Sequence, residues 1–220
     1  MSDDLLTKPF ALVVALAIVS LLPFVFMSVT AFVKISTVLQ IVRSAIGAQS
    51  VPSNTVVLAL AAALTLLAMA PVEAKIAARG APLLEGKVTD AATFVREGID
   101  AVREPMRDFL AANANARERS RFFAIARDAR QGADRDTVTE RDLTILIPAF
   151  VVTELGEAFA IGFLLFLPFL VVDLVIANVL TALGMQTLSP TYVSLPFKLL
   201  LFVGIDGWGL LSQALVAGYR

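Results

Sequence analysis

Asp173 is the residue of this chain that most strongly suggests chemistry, because it is the only charged side chain between Glu157 and Lys198. It lies in the apolar stretch FLLFLPFLVVDLVIANVLTALGMQ, residues 163–186. Ionising a lone carboxylate in such surroundings is costly unless a partner neutralises it. Asp173 therefore needs a cation, hydroxyl groups or water beside it.

Lys198 is the candidate partner of Asp173. The two residues are equidistant from a turn centred between Met185 and Gln186, so an antiparallel helical hairpin would bring both charges to the same depth. Such a pair would satisfy both groups and fix the register between helices or between copies of the protein. Two alternatives stay open: Lys198 reaches solvent while Asp173 finds hydroxyls or a water-filled cavity, or Asp173 carries protons or cations in a transporter.

Three further acidic residues give weaker signals. Glu154 and Glu157 lie three residues apart in ELGEAF, a spacing seen in carboxylate metal sites. No histidine accompanies them, so we expect solvated acids near a helix end. Asp206 follows Lys198 on the predicted last helix, about 80° around it, and needs a partner of its own.

The connection GMQTLSP supports two interpretations. Met185 is flexible and polarizable, so it can fill irregular gaps. If several copies surrounded an axis, such loops could form a deformable hydrophobic constriction of the kind that gates pores. The alternative is an ordinary helix–helix turn.

The composition argues against most enzymes. The 220 residues include no histidine and no cysteine, which removes the commonest general base, thiolate nucleophiles, disulfides and the usual transition-metal ligands. Hydrophobic residues make up 58% and charged residues 17%, with a mean hydropathy of +0.81. In soluble domains about 45–50% of the residues are apolar and about 25% are charged. We expect a membrane-associated helical protein that is no enzyme and holds no cofactor or metal; its net charge of −1 argues against nucleic-acid partners.

The first 72 residues predict an apolar helical hairpin. Two uncharged runs, 9–33 and 55–72, are each long enough for a buried or membrane-spanning helix. Lys34 and Arg43 lie between them, next to the turn signal GAQSVPSN. Because basic residues in short loops favour the cytoplasmic side, this turn is expected to face the cytoplasm.

The remaining residues predict a polar domain and a second apolar hairpin, which gives an all-α fold. Residues 73–142 hold thirteen acidic and thirteen basic side chains and predict amphipathic helices, expected on the periplasmic side. Residues 143–220 predict a long helix to Leu183, bent at Pro168. A loop over 184–194 and a last helix from Leu195 to Val216 follow.

Two stretches resemble the FliP/SctR proteins of type III secretion systems. TAFVKISTVLQIVRSAIGAQSVPSNTVVLALAAALTLLAMAPV, residues 30–72, resembles their first hairpin. Residues 146–211 resemble their C-terminal half, with FLPFLVVDLVIANVLTALGM followed by SLPFKLLLFVGIDGW as a specific signature. The short N-terminal segment MSDDLLTKPF, which lacks the positive region of a signal peptide, resembles the injectisome branch more than the flagellar branch.

The resemblance implies a structural subunit of the export apparatus in the bacterial inner membrane, in a system used for virulence. A homopentamer would assemble with SctS-like and SctT-like subunits into a helical cone through which unfolded secreted proteins pass. In family members much of this cone lies above the bilayer plane, toward the periplasm, with helices packed on one another as well as on lipid. The residues alone leave a runner-up: a small-molecule or ion transporter that uses Asp173, Glu154 and Glu157 as carriers.

The resemblance also implies roles for particular positions. Asp173 and Lys198 match the family's buried charge pair, which it places between neighbouring copies. Met185 matches a methionine-rich gasket loop, but here Gln186, Thr187 and Leu188 follow, so the seal depends on fewer or different side chains. The other candidate interface charges are Lys34, Arg43, Glu154, Glu157 and Asp206.

Overall fold

The computed structural model describes residues 9–47, 52–84, 90–130, 135, 137–185 and 187–219. Over these ranges the chain forms eight α-helices and no β-strand, which confirms the all-α fold. The helices are α1 (Pro9–Val29), α2 (Phe32–Ile46), α3 (Asn54–Leu84), α4 (Ala91–Asn113), α5 (Ala116–Asp128), α6 (Leu143–Ala182), α7 (Pro190–Gly204) and α8 (Gly207–Ala217).

The hydrophobic core is centred on α2. Its residues Ile35, Val38 and Val42 recur at helical spacing and are fully or almost fully buried. They pack chiefly against α6, where Phe150 and Ala158 are fully buried, and also against α3. The main core therefore joins the N-terminal and C-terminal arms to each other.

Gly162 lets α2 and α6 approach closely. A Cβ atom at this position would lie 2.5 Å from Ile41 Cδ1 and 3.2 Å from Ile41 Cβ. Small residues at such crossings are a common way for apolar helices to pack. Gly162 is therefore a packing requirement of the central helix pair.

The first apolar run is bent, although its hydropathy predicts a single helix. The helix expected over residues 9–33 ends at Val29, and α2 leaves at 75° to the preceding segment. Two hydroxyl groups bond back to carbonyls one turn earlier: Thr30 Oγ1 donates to Phe26 O at 2.7 Å and Ser28 Oγ to Phe24 O at 2.9 Å. Hydroxyl groups bonded in this way often bend helices.

The predicted helix from Leu195 to Val216 is also broken. It consists of α7, which begins at Pro190, and α8, with a bend of 58° between them. Asp206 forms the corner with φ 51°, the left-handed region that a short polar side chain tolerates better than most. Because of this corner, Asp206 does not share a helix with Lys198, and the predicted angular relation between them is wrong.

The long helix α6 agrees with the sequence analysis. It begins at Leu143 and continues through both Pro148 and Pro168 to Ala182. Just before it, Asp142 accepts hydrogen bonds from the backbone N–H and the hydroxyl of Thr139, and these bonds lower the pKa of Asp142. Since α7 begins at Pro190, the connection is shorter than the predicted loop 184–194.

The polar segment is helical and contacts both arms. The predicted boundary at residue 73 lies inside α3, which runs uninterrupted to Leu84. α4 and α5 follow; α4 packs on α3 and α6, and α5 packs on α6. The assignment of residues 73–142 as a domain of its own stays a prediction.

Candidate functional site

Asp173 and Lys198 lie together in the α6–α7 hairpin. Lys198 Nζ is 2.6 Å from Asp173 Oδ2, and Ser194 Oγ donates to Asp173 Oδ1 at 2.5 Å. Lys198 Nζ also donates to the Ala45 carbonyl near the end of α2, at 3.1 Å. The lysine side chain is 4% exposed and the aspartate 30%. The pair therefore fastens α6 to α7, and Lys198 extends the contact to α2.

The contact between Asp173 and Lys198 forms within one chain, whereas the resemblance placed it between copies. The physical reason is the hairpin: α6 ends at Ala182 and α7 begins at Pro190, so positions equidistant from the turn come to the same level. The role of the pair in assembly stays a prediction.

A second buried cluster surrounds Lys34. Its Nζ lies 2.7 Å from Glu157 Oε2 and 3.1 Å from Glu154 Oε1, the latter an ion contact without hydrogen-bond geometry. The Tyr219 hydroxyl donates to Glu154 Oε2 and is 3.2 Å from the Ala31 carbonyl. The cluster therefore joins α2, α6 and the segment that follows α8.

The prediction of solvated acids at positions 154 and 157 is wrong for Glu154. Glu154 lies in the fourth turn of α6 and is 0% exposed, whereas the Glu157 side chain is 53% exposed. The error arose because Lys34, the neutralising cation, lies 120 residues earlier in the sequence. A pattern on one helix carries no signal of such a partner.

Tyr219 contributes its ring as well as its hydroxyl to this cluster. In the structure its ring stacks on Phe109 of α4, with centroids 6.0 Å apart, and Lys34 Nζ lies 4.4 Å from the ring centroid. Burial and the neighbouring Glu154 carboxylate raise the pKa of Tyr219, so the phenol stays protonated and can donate. No local sequence signal pointed to this role.

Lys34 and Arg43 do not lie in the hairpin turn. Both are within α2, Lys34 in its first turn and Arg43 in its last. The inferred orientation of the first hairpin relied on their being loop residues. That support for a cytoplasmic turn and a periplasmic polar domain is therefore lost.

The tip of the α6–α7 hairpin presents apolar side chains. Met185 and Leu188 are each 48% exposed, and Gln186 lies outside the described residues. The backbone N–H of Met185 donates to the Leu180 carbonyl at 2.9 Å, beside Gly184 with φ 72°. This closure is typical of a Schellman helix end, and it directs the chain away from α6 toward α7.

The described part of the chain contains no group of three or more metal-ligating side chains in one place. By length and composition, α3 and α6 could each cross a membrane. The bent pairs α1–α2 and α7–α8 could each add one span, for up to four in the residues described. The buried charge clusters thus lie among helices of membrane-protein character.

Comparison with known proteins assigns these features to a family. Residues 15–215 match the family model described as the FliP family. The chain is 43% identical to the "Hypersensitivity response secretion protein HrcR" of Ralstonia nicotianae over 96% of its own length and 98% of that protein. It is 40% identical to the "Yop proteins translocation protein R" of Yersinia pestis, over 94% and 95% respectively.

A flagellar protein also matches. The "Flagellar biosynthetic protein FliP" of Agrobacterium fabrum is 38% identical over 93% of this chain and 81% of that protein. The matches span both apolar arms and the polar segment between them. On these grounds the chain belongs to the FliP family.

Proposed function

We propose that this chain is a structural, non-enzymatic subunit of a type III protein-export gate in a bacterial inner membrane. In this role, several copies surround an entry channel for unfolded secreted proteins. The relatives are named as secretion, translocation and flagellar biosynthetic proteins. The similarity covers nearly the whole chain, so it supports a role in protein export for all of its helices together.

The exposed surface of α6 is the observation that carries this proposal. In its most apolar stretch, only 11% of the residues are buried within the chain. Phe163, Leu164 and Leu174 are more than half exposed. A contiguous apolar surface of this extent needs lipid or other subunits to cover it. Packing of several copies around an axis would cover it and leave a central path.

In this proposal the mechanism is geometric. The Asp173–Lys198 pair fixes how α7 lies on α6, and so shapes the surface that each copy offers to its neighbours. The hairpin tips, with Met185 and Leu188 exposed, converge around the axis and narrow the path. Gln186 would belong to the same ring. Energy for transport comes from other components.

The partners follow from the same proposal. Five copies would form the ring, and SctS-like and SctT-like subunits would continue the helical cone. Lipid would surround the lower part, while the upper part would lie toward the periplasm. The injectisome branch is favoured, because secretion and translocation proteins of that kind match over nearly their full length.

The decisive experiment measures assembly and secretion in the same strains. The chain is expressed with its neighbouring subunits, extracted gently and weighed by native mass spectrometry. We expect a particle with five copies of the wild-type chain. Asp173→Ala and Lys198→Ala should each reduce that particle strongly and abolish secretion, because either change leaves the other charge without its partner.

The same strains distinguish export from small-molecule transport. A transporter using Asp173 as a carrier would lose flux with Asp173→Asn while keeping its quaternary structure. If the wild-type chain stays monomeric when it is expressed with its neighbouring subunits, the proposal is overturned. Intact five-copy particles in both alanine variants would overturn the assembly role of the charge pair.

A further inference from the structure

Tyr219 occupies a junction of helices that are far apart in sequence. Its hydroxyl contacts Glu154 of α6 and, at 3.2 Å, the carbonyl of Ala31, the residue that precedes α2. Its ring stacks on Phe109 of α4 at an interplanar angle of 25°. One side chain thus contacts the corner between α1 and α2 and two helices of the core.

Besides the Ser28 and Thr30 hydroxyl bonds to carbonyls of α1, the α1–α2 corner is held by apolar packing. α1 meets the rest of the chain mainly through α2 and α6, and most of its described apolar side chains are exposed. The rings of Phe26 and Phe32 meet across the corner with centroids 5.9 Å apart. Ala31 itself is fully buried, and the Tyr219 hydroxyl adds a hydrogen bond to its carbonyl from outside the two helices.

The hydroxyl of Tyr219 is central because donors around Glu154 are scarce. A phenol carries one proton, which here faces both the Glu154 carboxylate and the Ala31 carbonyl. Lys34, the cation beside Glu154, also forms an ion pair with Glu157. Without the hydroxyl, a carboxylate that is 0% exposed would depend on this shared lysine, and the corner would lose its hydrogen-bonded link to Glu154 of α6.

We propose that Tyr219 is a positioning residue that fixes the angle between α1 and α2. It does so by tying the Ala31 corner to the buried Lys34–Glu154 pair. The inference does not depend on the export role, because it concerns the shape of one chain. It assigns residue 219 a conformational task, the placement of the first apolar helix against the core.

The angle can be measured directly, because the chain contains no cysteine. Val19→Cys and Ser44→Cys place spin labels at two exposed positions, one on each helix. With a 75° bend the two backbone positions are separated by roughly 30 Å, and in a straight helix by roughly 38 Å. Double electron–electron resonance spectroscopy on the folded full-length chain in detergent resolves such a difference.

Tyr219→Phe keeps the ring and removes only the hydroxyl. We expect the minority of molecules outside the main distance to increase about tenfold, because a hydrogen bond to a buried charged group is lost. Tyr192→Phe is the matched control: it removes the hydroxyl of the other tyrosine, which is exposed, and should leave the distances unchanged.

A second control separates positioning from general loosening of the core. Phe202→Leu removes packing of α7 against Phe169 of α6 and Trp208 of α8, and it should lower the Tm without changing the distance. If Tyr219→Phe lowers the Tm while its distance distribution matches the wild type, Tyr219 is a packing residue only and the proposal fails.

Position 154 gives an independent test if Tyr219→Phe does not fold. Glu154→Gln keeps an oxygen that accepts the phenolic proton, so the main distance should persist. Glu154→Leu removes the acceptor, and the distribution should broaden as it does for Tyr219→Phe. A Glu154→Leu chain with the wild-type distribution would overturn the proposal, as would a Glu154→Gln chain with an altered one.

Discussion

Lys198 is held by two acceptors of different kinds. One is the Asp173 carboxylate and the other is the Ala45 carbonyl, which can accept but never donate. Equal spacing from the turn was enough to pair Asp173 with Lys198 from the sequence. The contacts of Ser194 and Ala45 were not predicted, because a carbonyl far along the chain has no sequence signature. The two positions are therefore not interchangeable, because position 198 must carry a hydrogen-bond donor for the Ala45 carbonyl.

This requirement for a donor at position 198 predicts the behaviour of a charge swap. Lys198→Ala alone should destabilise the chain near the lower end of about 3–5 kcal/mol, since Asp173 is 30% exposed. Combining Asp173→Lys with Lys198→Asp restores opposite charges but sets a carboxylate against the Ala45 carbonyl. We expect the swap to recover less than half of the lost free energy of unfolding, measured by thermal or denaturant unfolding in detergent.

Asp206→Asn is the control for the charge swap. It removes an exposed charge at a left-handed position that asparagine tolerates, so the free energy of unfolding should stay within about 0.5 kcal/mol. Full recovery in the swapped chain would show that the Ala45 contact contributes nothing and that attraction alone holds the pair.

At the scale of elements, hydropathy predicted where helices exist but missed where they bend. α6 was predicted almost to its ends, because prolines within a long apolar run bend a helix more often than they stop it. The corners at residues 30–31 and 205–206 were missed. Each depends on polar groups, the Ser28 and Thr30 hydroxyls at one corner and the Asp206 backbone at the other, that a hydropathy average does not register.

The α2–α6 crossing yields a prediction from two glycines of one helix. At Gly162 an added methyl group would collide with Ile41, whereas at Gly156 it would meet nothing within 4 Å. Gly156→Ala should therefore stabilise the chain by up to about 1 kcal/mol through helix propensity. Gly162→Ala should destabilise it by about 1–3 kcal/mol through overpacking.

The measurement is the difference in Tm between the two alanine variants in the same detergent. Both substitutions make the same chemical change on α6, so helix propensity cancels in the comparison. Equal shifts would show that Ile41 moves aside without cost and that the close approach of α2 and α6 is incidental.

For the whole molecule, the sequence predicts two separate hairpins, but the core lies between them. The partners of α2 on α6 lie more than a hundred residues away, and no periodicity within one arm can identify them. Composition did predict the excess of apolar surface that one chain leaves uncovered. The test is whether that surface serves contacts between chains.

Leu200 and Leu146 distinguish contacts between chains from contacts within one. Leu200 on α7 is 76% exposed, and Leu146 on α6 is fully buried. Leu146→Ala should lower the free energy of unfolding of the single chain by about 2–5 kcal/mol. Leu200→Ala should leave it nearly unchanged but reduce the yield of the five-copy particle, measured by native mass spectrometry. A normal particle yield with Leu200→Ala would show that this face meets lipid.

The length of α6 limits how the molecule can sit in a bilayer. Its 40 residues extend about 60 Å, twice the roughly 30 Å of hydrocarbon in a membrane. To lie wholly within that layer, the rod would have to lean about 60° from the membrane normal, whereas transmembrane helices rarely exceed about 40°. Part of this apolar helix must therefore lie outside the hydrocarbon layer of the membrane. That part would be exposed to water unless other protein covers it.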